Sequence, residues 1–116
     1  GNPLACAAAI ATIETLLEDG IIMDNCKRMG KYFMKQLERL KKEFPSIIAG
    51  VKGLGLMIGM ELTKPCASIV NSCFEQGILI NCTAGNVLRF TPPLIVTEKD
   101  IDRLIDVFED IFGEIA

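Results

Sequence analysis

Arg89 is the residue of this chain best suited to chemistry. It stands in the run Val87-Leu88-Arg89-Phe90, which Pro92-Pro93 closes. A second apolar run, Ile78–Asn81, precedes it, with Thr83-Ala84-Gly85-Asn86 as the turn between them. Strand alternation predicts Val87 and Arg89 on one face, Leu88 and Phe90 on the other. An arginine on a half-buried strand demands an anion. That anion is either a carboxylate of the protein, in a structural ion pair, or an acid or phosphate group of a ligand. Spacing alone leaves both readings open.

The other reactive groups read more plainly. Five cysteines (Cys6, Cys26, Cys66, Cys73, Cys82) are an odd number without a C-x-x-C pair, and there is no histidine. The common mixed Cys/His zinc sites are therefore excluded. Cys66 and Cys73 lie seven apart on one face of an expected helix, a spacing that matches no ligand pattern. Reduced, small, buried side chains of a cytoplasmic protein are the reading, with no metal site. Lys27, Arg28, Lys31, Lys35, Arg39, Lys41 and Lys42 form a basic run, expected to be a solvated helix face. Gly53-Leu54-Gly55 invites comparison with phosphate loops, but a strand rather than a helix follows, so a tight turn or bulge is expected.

The 116 residues suffice for one domain with a single core. Half are hydrophobic and 23% charged, with mean hydropathy +0.37. Such an apolar balance implies surface meant for burial against something else. A net charge of -3 argues against nucleic acid, which requires a basic face. No apolar stretch approaches the roughly 18 residues of a membrane span, and no signal-peptide layout is present.

The elements that must position these groups follow from periodicity and punctuation. Asn2 and Pro3 suit a helix start, and from Leu4 to Ile13 only Thr12 is polar. A helix apolar all round is a buried one. With no initiator methionine, the chain reads as a piece of a larger protein. After Gly20 a second helix is expected from about Ile22 to Phe44, with Cys26, Met29, Phe33, Leu37, Leu40 and Phe44 at helical spacing and Pro45 as the stop. Ile47–Lys52 and Leu56–Leu62 read as strands, and Pro65–Gln76 as a helix closed by Gly77. The last helix starts at Thr97, with Asp100 three residues on as a capping-box partner. Its stripe Ile101, Leu104, Ile105, Phe108, Ile111, Phe112, Ile115 is expected in the core, with Asp102, Asp106, Glu109 and Asp110 wet. The order predicts an α+β domain, a small antiparallel sheet covered by helices.

Four stretches carry a family resemblance. They are Gly1–Ala9, Val51–Gly59, Gly77–Asn86 and Leu88–Leu94, in family order and together spanning nearly the whole chain. The chain resembles the carboxyl-terminal part of a class III, pyridoxal-phosphate-dependent aminotransferase of fold type I. The third stretch is most similar to the acetylornithine branch. The resemblance implies that residues 1–20 are an inter-domain linking helix and residues 21–116 the small carboxyl-terminal domain. It implies a cytoplasmic homodimeric parent that moves an amino group between N2-acetylornithine and 2-oxoglutarate in arginine biosynthesis. Alternatives are another class III substrate (ornithine, succinylornithine or 4-aminobutyrate) or a free-standing, non-catalytic binding module. The family's Schiff-base lysine, its pyridinium-pairing aspartate and its phosphate contacts correspond to positions upstream of Gly1. No catalytic or cofactor-binding residue is therefore expected here, and this segment is not expected to hold pyridoxal 5'-phosphate itself. The resemblance assigns Arg89 to substrate binding at the active-site rim, facing a large-domain glutamate or a substrate carboxylate, for which a planar cationic fork suits. The first helix, near the family's subunit interface, is expected to pair with another copy.

Overall fold

A computed structural model of the chain describes residues 20–92 and 95–115. The helix expected before Gly20, its pairing with another copy, and Pro93-Leu94 lie outside the described residues. Helix α1 (Ile21–Glu43) starts after Gly20, whose φ of 68° is left-handed. Met29, Phe33, Leu37 and Leu40 are buried along one stripe, while the basic run faces outward with only Lys41 half-buried. The helix stops where expected. Pro45 disfavours helical backbone at Phe44, which leaves the α region at φ -123°, ψ 60°.

Strands β1 (Ile48–Leu54) and β2 (Met57–Leu62) form a hairpin closed by the pair Leu54↔Met57. Its two-residue turn is Gly55-Leu56, with Gly55 at φ +58°. A positive φ at the first central position is the II′ pattern, which matches strand twist and favours glycine. The glycine-rich stretch is thus a turn, displaced toward Gly55, with Gly53 inside the strand. Against this turn packs Gly30 of α1, where a Cβ would lie 2.5 Å from the Gly55 carbonyl oxygen.

Helix α2 (Ala67–Glu75) begins two residues after Pro65 and ends in a Schellman motif. Gly77 lies at φ 82°, its N–H reaching Phe74 O and the Ile78 N–H reaching Cys73 O, both at 2.9 Å. Strands β3 (Asn81–Thr83) and β4 (Val87–Phe90) complete an antiparallel sheet of order β1-β2-β4-β3. The strand expected over Ile78–Asn81 is corrected to Asn81–Thr83. Ile78 and Ile80 instead pack half-buried onto the core from a loop. The turn is correspondingly Ala84-Gly85-Asn86, with Ala84 and Gly85 at positive φ. Reciprocal bonds between Leu62 and Asn86 pin it to the end of β2 (Leu62 N to Asn86 O 2.8 Å, Asn86 Nδ2 to Leu62 O 3.1 Å).

The reading of all cysteines as reduced is overturned for two of them. Cys66 and Cys82 form a disulfide with Cα atoms 5.9 Å apart. The Cys66 N–H donates to Gly85 O at 2.9 Å, which brings the start of α2 against the β3–β4 turn. Cys73 is a buried free thiol, and burial pushes its pKa up to about 11.

Helix α3 (Glu98–Ile115) opens with the expected capping box. Thr97 N–H donates to Asp100 Oδ2 at 3.0 Å and Asp100 N–H to Thr97 Oγ1 at 3.4 Å. Ile101, Ile105, Phe108, Ile111 and Phe112 are buried, joined by Val107. Leu104 is half-buried, and Ile115, expected in the core, is 56% exposed at the last position of the helix. Glu109, expected wet, is half-buried and pairs with Arg39 of α1 at 3.0 Å. Helices α1 and α3 cover one sheet face. An aromatic ladder runs between them, Phe33–Phe90–Phe108–Phe112–Phe44, with centroid spacings of 5.3 to 5.8 Å. The opposite face carries the exposed side chains of Lys52, Leu54, Met57, Glu61, Arg89 and Asn81.

Candidate functional site

Arg89 lies on β4, an interior strand, opposite Gly59 of β2 and Asn81 of β3. Its neighbours Leu88 and Phe90 point into the core at 0% and 3% exposure, so alternation turns Arg89 the other way. The half-buried setting expected for it is corrected: Arg89 is exposed. Among the described residues it makes no ion pair. Glu61, opposite Val87 and diagonal to Arg89 on the same face, does not engage it.

The arginine stands where two clefts meet. The larger, about 520 Å³, lies between the loop 78–80, Thr91-Pro92 and the first turns of α3. Phe33, Phe90 and Ile101 give it apolar walls, while Asn81, Arg89, Asp100 and Arg103 supply polar groups. The smaller, about 250 Å³, runs over Met57, Gly59 and Val87 on the open sheet face. Gly59 leaves the flank of the Arg89 strand uncovered, since no side chain rises from that position.

The charges around the larger cleft are mostly committed. Asp100 accepts from both Thr97 N–H and Thr97 Oγ1, each at 3.0 Å, so its carboxylate serves the helix cap. Arg103 donates from Nη2 to Gln76 O at 3.1 Å, a cation at the carboxyl end of α2 where carbonyl charge accumulates. Arg89 is left as the permanently charged, planar donor fork facing both clefts. Such a group binds and orients a carboxylate or phosphate. Among the described residues no cysteine, histidine or lysine lines the clefts, so they supply neither a strong nucleophile nor an amine. No lysine lines either cleft, so the residues around Arg89 do not fit pyridoxal phosphate.

Around the site, contacts fix α3 to α1. Tyr32 donates its hydroxyl to Asp102. That hydrogen bond, aided by desolvation, raises the phenol to about 12. Asn25 Nδ2 reaches Val96 O at 3.2 Å and holds the segment entering α3. Sequence reasoning singled out Arg89 but missed Asn81 and Arg103 as its cleft companions. Asn81 shows itself only through strand register, and Arg103 only through the approach of α2 to α3; neither carries a local signal.

The family model for class-III aminotransferases matches residues 1–112. The acetylornithine aminotransferase of Methanocaldococcus jannaschii is 50% identical over 115 residues, covering 99% of this chain and 28% of its own length. That of Methanosarcina acetivorans is 44% identical over 109 residues, covering 94% of this chain and 27% of its own. Among solved structures, acetylornithine aminotransferase from Elizabethkingia anophelis matches with TM-score 0.81 and 30% identity, over 97% of this chain and 29% of that one. N-acetylornithine aminotransferase from Stenotrophomonas maltophilia matches with TM-score 0.82 and 29% identity, over 99% of this chain and 32% of that one. The chain thus spans between a quarter and a third of the length of these relatives.

Proposed function

Because the chain belongs to the class-III aminotransferases, we propose that it is the small carboxyl-terminal domain of an acetylornithine aminotransferase in which Arg89 receives a substrate carboxylate. In this reading residues 1–20 link it to a large domain and residues 21–116 form the small domain. The parent, a cytoplasmic homodimer, transfers an amino group between N2-acetylornithine and 2-oxoglutarate in arginine biosynthesis. The names of the relatives support the choice of substrate. Pyridoxal phosphate chemistry falls to the remainder of the parent, and this segment's part is to bind and orient an acid group.

One observation carries the reading: an arginine on a sheet-interior strand, facing two clefts, with no carboxylate of the described residues engaged. A structural ion pair made inside this domain would already show its partner among the described residues. A bidentate carboxylate of an amino or oxo acid fits the fork, and the apolar walls suit the aliphatic part of such a ligand. The test is steady-state kinetics of the intact parent with Arg89→Ala and Arg89→Lys. Both variants should lower kcat/KM, with Lys recovering only part of the loss because it lacks the fork. Kinetics within about twofold of the parent enzyme for both substrates would reduce Arg89 to a surface residue.

A further inference from the structure

Strand β3 is held lightly. It is three residues long, lies at the edge of the sheet and pairs only with β4, through Asn81, Cys82 and Thr83. Helix α2, behind it, has Cys66 as its N-cap and no side-chain cap hydrogen bond. The covalent tie between the two is the Cys66–Cys82 bond, which closes a loop containing all of α2. Just before Cys82, Ile80 and Asn81 line the larger cleft. The bond therefore sits one residue from the wall of that cleft.

The two sulfurs differ in access. Cys66 is fully buried, whereas Cys82 is half-buried at the sheet edge. We infer that Cys66 and Cys82 form a reversible thiol–disulfide site, opened by a dithiol reductant and governing the order of β3 and the adjoining cleft wall. A thiolate of the dithiol attacks Cys82 Sγ. The sulfur–sulfur electron pair leaves with Cys66 Sγ, which then takes a proton. The second thiolate of the reductant displaces Cys82, which also leaves as a thiolate and is protonated. The chain has gained two electrons and two protons, and the reductant has become a disulfide. Cys73, two turns further along α2, has its pKa pushed up to about 11 by burial and stays a thiol near neutral pH, so it does not rearrange the bond. In reverse, the Cα separation of 5.9 Å lies within the range that lets the pair re-form without moving the backbone.

This inference does not depend on what Arg89 binds. Its test uses the full-length protein prepared without reductant. The chain is alkylated with iodoacetamide before and after native treatment with dithiothreitol and mapped by peptide mass spectrometry, with hydrogen exchange followed in both states. Before treatment, Cys66 and Cys82 should resist alkylation even in denaturant. After it, each should take one label, and removing the reductant should restore protection. Exchange over residues 78–83 should quicken about tenfold or more on reduction while the β1–β2 hairpin is unchanged. The variant C66A/C82A, with no bond to open, should exchange quickly in that segment with and without dithiothreitol. Labelling of both cysteines in the untreated, denatured chain overturns the inference. So does a bond that native dithiol leaves closed, or one that opens with exchange over 78–83 unaltered.

Discussion

Gly30→Ala pits two effects of opposite sign against each other. In an open helix the change stabilises by up to about 1 kcal/mol, because alanine loses less backbone freedom. At Gly30 the added Cβ would stand 2.5 Å from the carbonyl oxygen of Gly55, 2.8 Å from its carbon and 3.1 Å from its Cα. Carbon–oxygen contacts settle near 3.3 Å, so helix and turn must separate by roughly 0.8 Å. The obstacle is backbone, held in a two-residue turn at φ +58° and backed by buried Leu56, so no flexible side chain can swing away. Overpacking of this kind costs about 1–3 kcal/mol, which outweighs the propensity gain. The expected net loss is about 1–2 kcal/mol, a fall in Tm of roughly 4–12 °C for a domain of this size. Gly113→Ala is the internal control. It lies in α3 with nothing within 4 Å of the new Cβ, and should gain a few tenths up to about 1 kcal/mol. Thermal and urea unfolding of the 116-residue chain, followed by circular dichroism, measure both. If both variants raise Tm, the close packing of α1 on the hairpin turn is refuted.

Arg89→Ala in the intact parent should cost about 2–5 kcal/mol if the carboxylate pair is desolvated there, a fall in kcat/KM of about 30-fold or more, with Tm hardly moved. Thr97→Ala removes the hydroxyl that accepts from Asp100 N–H, and should lower the urea midpoint by the equivalent of about 1 kcal/mol. The Tyr32 phenol is raised to about 12 by its bond to Asp102. An acid whose folded pKa is raised keeps its stabilising share below the unfolded value near 10 and loses it as pH climbs toward about 12. Tyr32→Phe should therefore flatten the alkaline decline in Tm across that window, and an unchanged decline would discount the bond. Reducing the Cys66–Cys82 loop, at a sequence separation of 16, should lower stability by up to about 3 kcal/mol, read as a drop in urea midpoint on adding dithiothreitol.

What the sequence made legible was whatever its neighbours determine. The stripe of α1, the stop at Pro45, the capping box at Thr97 and the order of elements after Gly20 are all set within a few residues, and all stand in the structure. What it concealed depends on distant parts meeting. Cys66 and Cys82 lie 16 apart, with no spacing rule to mark them, and are joined because Gly85 O draws the start of α2 onto a turn. Strand β3 is shifted because Leu62 and Asn86 pin the turn from a different hairpin. For Arg89 the face was readable but its exposure was not, since that depends on which sheet face the helices cover. The site was thus legible as one residue and illegible as a cleft.

The strand order β1-β2-β4-β3 also has a consequence for how the domain assembles. Each outer hairpin closes locally, through a two-residue turn and a three-residue turn, at little entropic cost. The seam between them pairs Ile58 with Phe90 and Glu61 with Val87, across the whole of α2. Those contacts are distant along the chain and are made only after that longer loop has closed. Arg89 sits on this seam. Asn81 comes from its own hairpin and Gly59 from the other, so the flanks of Arg89 are complete only once both halves of the sheet have joined.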